Sequence, residues 1–319
     1  RTRGAAEAAP RRGSRTFPYV IGRIPRLHST TMDTGLRREA LPVSQGAGPA
    51  RELDEAMARL SAALMAHGDV VVAVSGGVDS LTLAAFAFET LADRATLVHA
   101  VSPAVPAAAT ARVKVFAEQR GVALVLLDAG EFADEAYRAN PSNRCYFCKS
   151  HLYDAIRARF QTTIVSGANL DDLGDYRPGL LAARERDVHH PFVEAGLTKA
   201  RVRELARHLG LGEIAELPSA PCLSSRVETG IRIEPPALAL IDAIETEIRE
   251  ALRPKTVRCR VRHRGVVVEM DEAALVGLGD LDRRVWTDRI GARARDVGLR
   301  GDVEFEVYRQ GSAFLRATS

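Results

Sequence analysis

The chain has 319 residues, 27% of them charged, with 44 Lys and Arg against 41 Asp and Glu for a net charge of +3. Nothing in that balance calls for a nucleic-acid partner, and no apolar run approaches the ~20 residues of a membrane span. Four cysteines are too few to scaffold a chain this long, so their spacing reads as metal chemistry in a reducing compartment, the cytoplasm.

The length fits about two domains. Residues 1–51 are rich in Arg, Ala, Pro, Gly and Ser without a periodic apolar face, and are expected to be a disordered extension. Their Arg content also suits a transit peptide, and Met32 could serve as a start. An amphipathic helix is expected over Glu52–His67. Strand signals then fall at Val70–Val74, Thr96–Val101, Ala123–Asp128 and Thr162–Ser166. Helix signals fall between and after them, near Asp79–Leu91, Ala107–Arg120, Asn143–Phe160 and Thr198–Leu209. That alternation predicts an α/β domain over residues 52–216, a doubly wound parallel sheet with ligands at the C-terminal ends of its strands. Residues 217–235 read as an irregular hinge carrying Cys222 beside an interdomain cleft. A helix from Pro235-Pro236 to about Leu252 comes next, then strands Thr256–His263 and Val266–Met270 joined by Arg264-Gly265. A helical stretch through Asp296 and a strand Val303–Tyr308 complete a small α+β domain over 236–319.

The first strand runs into Ser75-Gly76-Gly77-Val78-Asp79-Ser80, which opens an apolar helix. Two adjacent glycines let backbone N–H groups close on phosphate oxygens, and the helix N-terminus adds its positive end. An ordinary glycine-rich turn is the bland reading, but strand, helix, acid and hydroxyls are all in place. The loop lacks the Gly-Lys-Ser/Thr ending of a Walker motif. It resembles instead the PP-loop, Ser-Gly-Gly-x-Asp-Ser, of the N-type ATP pyrophosphatases, whose fold is adenine nucleotide alpha hydrolase-like. The resemblance implies that Ser75, Gly76, Gly77, Asp79 and Ser80 bind ATP with Mg²⁺, and that ATP is cleaved to AMP and pyrophosphate. Ser166-Gly167-Ala168-Asn169, after the fourth strand, is expected on the same rim.

Arg144-Cys145-Tyr-Phe-Cys148-Lys149 opens a predicted helix, whose dipole would lower the thiol pKa values. With Cys222, three thiolates could hold a [4Fe–4S] cluster with one iron open. His151 offers a Cys₃His zinc site instead, and buried cysteines without metal are the third reading. Cys259 lies in an alternating strand and is expected in the core. That strand, Val257-Arg258-Cys259-Arg260-Val261-Arg262, carries arginines on one face. They could grip a phosphate, track a tRNA backbone, or merely solvate an edge strand.

Asn140-Pro-x-x-Arg144-Cys145-Tyr-x-Cys148-Lys149 is followed in order by Ser166-Gly-x-Asn169-x-Asp171-Asp172-x-x-Asp175-Tyr176-Arg177-Pro178-Gly179. Gly196-Leu-x-Lys199 and Pro221-Cys222-Leu-x-Ser-Arg226 come after. Together they resemble the LarE family over about Glu52 to Tyr308. These are ATP-dependent sulfur transferases that make the nickel-pincer nucleotide of lactate racemase. The resemblance implies adenylation of the carboxylates of pyridinium-3,5-biscarboxylic acid mononucleotide and their conversion to thiocarboxylates. It extends the ATP site to Gly167, Asn169, Asp175 and Arg177, assigns Asp79 and Cys222 to catalysis, and gives the substrate phosphate to Arg260 and Arg262. Glu245 and Glu269 resemble acidic residues that bind a divalent cation. The C-x-x-C pair marks the branch in which Cys145, Cys148 and Cys222 hold a [4Fe–4S] cluster as sulfur carrier, where other members sacrifice the Cys222 sulfur itself. Implied partners are the small nucleotide substrate, a carboxylase and a nickel-insertion enzyme of the same pathway, and further copies of the chain. A PP-loop tRNA thiolase with a three-cysteine cluster is the alternative, which the net charge of +3 disfavours.

Overall fold

The computed structural model describes residues 49–174 and 177–309. Residues 1–48 of the extension expected over 1–51, and Asp175, therefore lie outside the described residues, while residues 49–51 are helical. Helix α1 (Pro49–His67) starts three residues ahead of the expected Glu52, the fixed φ of proline being suited to a first helical turn. The chain then alternates through β1 (Val70–Ala73), α2 (Val78–Leu91), β2 (Ala95–Ala100), α3 (Ala107–Arg120) and β3 (Leu124–Leu127). A short α4 (Glu135–Arg138) precedes α5 (Arg144–Arg157), β4 (Thr163–Ser166) and α6 (Pro178–Glu185). Strand β5 (Val188–His189), α7 (Pro191–Glu194) and α8 (Lys199–His208) end the first unit.

These five strands form one parallel sheet in the order β3-β2-β1-β4-β5. The doubly wound α/β fold is therefore as the alternation predicts. Side chains of a strand alternate between the two faces, and the core divides accordingly. Val70 and Val72 join Leu97, Leu124 and Val165 under α1, α2, α3 and α8, while Val71, Val98, Ile164 and Val188 pack against α5 and α6. Each such buried Val or Leu contributes roughly 1.5–3 kcal/mol. The strand order reverses on either side of β1. Ala73 lies opposite Val98 on one side and Ser166 on the other, so the residues after β1 and β4 leave the sheet side by side. In open sheets of this kind that switch point is where ligands bind.

The second unit begins with α9 (Pro235–Leu252), followed by β6 (Val257–Arg262), β7 (Gly265–Met270), α10 (Glu272–Gly277), α11 (Asp280–Asp296) and β8 (Asp302–Val307). Its sheet runs β6-β7-β8, antiparallel and then parallel. Between the units, within the segment expected to be a hinge, Leu223, Ser224, Ser225 and Arg226 are all buried, whereas residues 218–221 are exposed. Leu223 N–H donates to the Ala104 carbonyl at 2.8 Å, and the hydroxyls of Tyr137 and Ser224 lie 2.7 Å apart. Asn140, at φ +54°, points Nδ2 to within 2.9–3.2 Å of the carbonyls of Val227, Glu228 and Ile231. Asparagine tolerates that left-handed conformation better than most residues. Among the described residues no helix is long and apolar enough to cross a membrane.

Candidate active site

The glycine-rich loop hangs from the end of β1. Val74 N–H still donates to the Val98 carbonyl at 2.9 Å before the chain turns through Ser75 and Gly76 into α2. Gly76 has φ +83°, and a Cβ there would stand 2.8 Å from the Ala109 carbonyl oxygen, so only glycine fits. The Ser80 hydroxyl accepts the Ser75 N–H at 3.1 Å and donates to the Gly77 carbonyl at 3.1 Å, tying the loop to the first turn of the helix. Arg112 Nη1 donates to the Gly76 carbonyl at 2.7 Å. Gly77, the N-cap of α2, brings no side chain to the first N–H groups of the helix, which leaves them to an anion. Gly167 closes the switch point from the other side. A Cβ on it would lie 2.9 Å from both the Asp79 carbonyl carbon and the Ser80 nitrogen.

His99 on β2 braces this loop, a role that no sequence motif announces. Its Nδ1 donates to the Val74 carbonyl at 2.8 Å, and its Nε2 accepts from the Thr110 hydroxyl at 2.9 Å. Burial lowers its pKa from the ordinary histidine value, so the ring stays neutral and the Val74 acceptor sets its tautomer.

Asp79 faces out of the loop and meets Lys199, whose Nζ stands 2.6 and 2.5 Å from the two carboxylate oxygens. Lys199 is the first residue of α8, and its N–H donates to Asp171 Oδ2 at 2.6 Å. Asp172 accepts the N–H of buried Asn169 at 3.1 Å and pairs with Arg177 at 2.9 Å. Of the ATP residues expected from sequence, Ser75 to Ser80 with Asn169 and Arg177 are thus joined through one hydrogen-bonded rim, and Gly167 packs against it. Lys199 was legible only as part of the Gly196-Leu-x-Lys199 pattern. Its partner is visible in three dimensions alone. The half-buried Asp79 carboxylate offers the hard oxygen donors that Mg²⁺ takes, although both now face Lys199.

Cys145 and Cys148 occupy the first turns of α5, and Cys222 opens the turn Leu223–Arg226. Burial raises the pKa of Cys145 and pushes Cys148 up to about 12, and the charge of Cys222 adds to both. The expected dipole effect is thereby overturned: desolvation outweighs the helix end. The three thiols are thus close enough for the charge of one to act on the others. Lys149 stands among them, its ammonium favoured first by Tyr153 and then by the cysteines. Arg177 also acts on Cys145, and Gly179 lets α6 lie against this corner, where a Cβ would be 3.1 Å from Lys149 Cγ. The rim around the glycine-rich loop and the thiols are therefore neighbours.

His151 does not join the thiols. Its Nε2 is 2.9 Å from Asp134 Oδ2. Among the described residues the three sulfurs do not come together within 4.8 Å of one another, whereas ligands of one zinc ion sit about 3.8 Å apart for Zn–S bonds of ~2.3 Å. Three thiolates without a fourth protein ligand are the donor set that would suit a [4Fe–4S] cluster with one iron left open. Cys259 is buried in the second core, as expected.

The arginine face of β6 is covered, not solvated, because the segment around Cys222 lies over it. Arg258 Nη2 donates to the Ser219 carbonyl at 3.0 Å and buried Arg260 Nη1 to that of Ser225 at 3.1 Å. Arg226 Nη1 donates to the carbonyls of Pro221 at 2.6 Å and Cys222 at 3.2 Å. Two buried carboxylates back these cations. Glu245 takes Arg226 Nε and Nη2 at 2.9 and 3.1 Å, Arg249 at 2.8 Å and the Cys259 N–H at 3.0 Å. Glu269 accepts Arg262 Nη2 at 2.7 Å and forms an ion pair with Arg260, whose Nε is 2.7 Å away. The solvated edge-strand reading is overturned. A divalent cation at Glu245 would have to displace two guanidinium groups and a backbone N–H, so the donor set does not fit one there, and Glu269 is likewise committed to its arginines. Both glutamates instead brace the arginines that hold the Cys222 segment.

No family model matches the chain. It is 30% identical, over 248 residues, to the pyridinium-3,5-bisthiocarboxylic acid mononucleotide synthase of Lactiplantibacillus plantarum, an alignment covering 76% of this chain and 87% of that protein. It is 38% identical over 183 residues to the uncharacterized protein slr1717 of Synechocystis, covering 56% of this chain and 68% of the relative. It is 24% identical over 246 residues to the uncharacterized protein MJ0830 of Methanocaldococcus jannaschii, covering 75% and 90%.

Proposed function

The chain belongs to the LarE family, and from that premise we propose that it is an ATP-dependent sulfur transferase acting in nickel-pincer cofactor synthesis. Its proposed substrate is pyridinium-3,5-biscarboxylic acid mononucleotide. The observation that carries this reading is the adjacency of the phosphate-binding loop to the three thiols, linked through Arg177. An enzyme that only hydrolysed ATP would have no use for that neighbour.

A carboxylate resists sulfur because the leaving group would be oxide. In the proposed first step a substrate carboxylate oxygen attacks the α-phosphorus of ATP and the bond to the bridging oxygen breaks, releasing pyrophosphate. Loop N–H groups at the start of α2 would bear the growing charge, with Lys199 close by as a cation. Asp79 would hold Mg²⁺, which supplies charge neutralisation on the phosphates when bound. A sulfur nucleophile then attacks the acyl carbon, the carbon–oxygen bond to phosphate breaks, and AMP departs. Cys145, Cys148 and Cys222 would hold the [4Fe–4S] cluster, which supplies a site for carried sulfide. The arginines behind Cys222 fix its backbone, and Lys149 and Arg177 offer positive charge to an approaching anion.

The reading is tested by incubating the anaerobically loaded full chain with ATP and the dicarboxylate mononucleotide. AMP and pyrophosphate should form only with substrate present, and mass spectrometry should find oxygen exchanged for sulfur in the product. Release of ADP and phosphate, or an unchanged substrate mass, would overturn it.

Arg260 and Arg262 are proposed to receive the substrate phosphate. Arg262→Ala should raise the substrate KM about a hundredfold while ATP affinity stays near wild type, since a charged hydrogen bond contributes roughly 1.5–3 kcal/mol. Arg260 still pairs with Glu269 in that variant, so the fold should hold. An equal loss of ATP affinity would reassign this strand to the nucleotide, and an unchanged KM would leave it a purely structural support for Cys222.

A further inference from the structure

Away from this site, three potential ligands converge where α1, β5 and α7 end. His67 is the last residue of α1, His189 the last of β5 and Glu194 the last of α7. We propose that His67, His189 and Glu194 form a binding site for a divalent transition ion of the zinc class. Their ligand atoms all lie within 4.8 Å of one another. Glu194 Oε2 is 2.8 Å from His67 Nε2, and Oε1 is 3.5 Å from His189 Nδ1. Two ligand atoms of a tetrahedral ion bound at ~2.0–2.1 Å are separated by about 3.3 Å, which these distances bracket.

Two imidazoles and one carboxylate are the donor set that favours zinc-class ions over magnesium or calcium. Glu194 reaches both imidazoles, one with each carboxylate oxygen, and their ring centroids are 4.3 Å apart. The outer nitrogen of His189, Nε2, stands 3.4 Å from Asp187 Oδ1. A carboxylate behind a metal-binding histidine fixes the ring and raises its basicity. The carbonyl end of the 19-residue α1 adds negative potential at His67. A bound ion would pin α1 to the β5–α7 corner. There the next residue, His190, has its Nδ1 2.9 Å from the Ser166 hydroxyl, just before Gly167. The proposed site would thus stiffen the strand end that supports the nucleotide loop.

Because thiols also bind zinc, the test uses the full chain with Cys145, Cys148 and Cys222 changed to Ser, titrated calorimetrically with Zn²⁺ alone. One Zn²⁺ should bind per chain and raise the melting temperature. His189→Ala should weaken binding more than about a hundredfold, and Asp187→Asn should weaken it about tenfold, as expected for an outer carboxylate. A second route avoids the serine changes. Co²⁺ added to the otherwise unaltered chain should give a nitrogen–oxygen d–d spectrum, distinct from sulfur charge transfer, that disappears in His189→Ala. Absence of Zn²⁺ binding at micromolar concentrations in a folded serine variant would overturn the proposal. So would an affinity or Co²⁺ spectrum unchanged by His189→Ala.

Discussion

Asp79→Ala should lower substrate-dependent release of AMP and pyrophosphate by on the order of 10³-fold, about 4 kcal/mol of transition-state stabilisation. The carboxylate sits at the mouth of the phosphate loop, one residue before the Ser80 hydroxyl that ties the loop to its helix. It is the acid of that loop, and Lys199 holds it in place through both oxygens. The fold should barely respond. The Asp79–Lys199 side chains are 29% and 32% exposed, and an ion pair so wetted contributes roughly 0–1 kcal/mol. Activity and stability therefore separate cleanly. Loss of turnover with a melting temperature within a few degrees of wild type is the expected pair of results. Turnover within tenfold of wild type would remove Asp79 from the chemistry, and collapse of the fold would make its role structural.

The second large effect concerns the thiols. Cys145→Ala, Cys148→Ala and Cys222→Ala should each abolish stable iron–sulfur loading during anaerobic reconstitution, whereas Cys259→Ala should leave loading intact. Cys259 is buried in the second core, where burial raises its pKa, and its N–H is given to Glu245. Loading must remove protons from thiols that burial holds protonated, with Cys148 at about 12. Occupancy should accordingly rise with pH across the neutral to mildly alkaline range, with proton release on binding. Intact-mass spectrometry after turnover distinguishes a carried sulfide from a sacrificed one. An unchanged chain mass with many turnovers supports the former, and loss of one H₂S from Cys222 establishes the latter. Retention of a full cluster in Cys222→Ala would break the three-thiol arrangement altogether.

The parallel sheet, its two-faced core and the loop after β1 were determined by sequence alone, because each rests on local rules. Valines at 70, 71 and 72 bury on alternating faces, glycine at 76 meets a backbone angle that other residues resist, and serine at 80 is within one turn of its partners. Strand β5 escaped notice because two residues carry no periodicity, and its edge pairing to β4 comes from the sheet already assembled beside it. Which charges meet was decided only by the tertiary structure. Lys199 reaches Asp79 across 120 residues, and no spacing rule connects them. The alternating arginines of β6 were legible as a face, but their destination depended on the segment at 219–226 folding over that face and bringing its carbonyls to them. The thiol pKa values were misjudged for the same reason: the helix end is a local feature, whereas the burial that outweighs it is set by Tyr137, Leu223 and the rest of the joint packing around the cysteines. Sequence determines what a segment can become, while desolvation and charge pairing are properties of whatever the fold brings within a few ångströms.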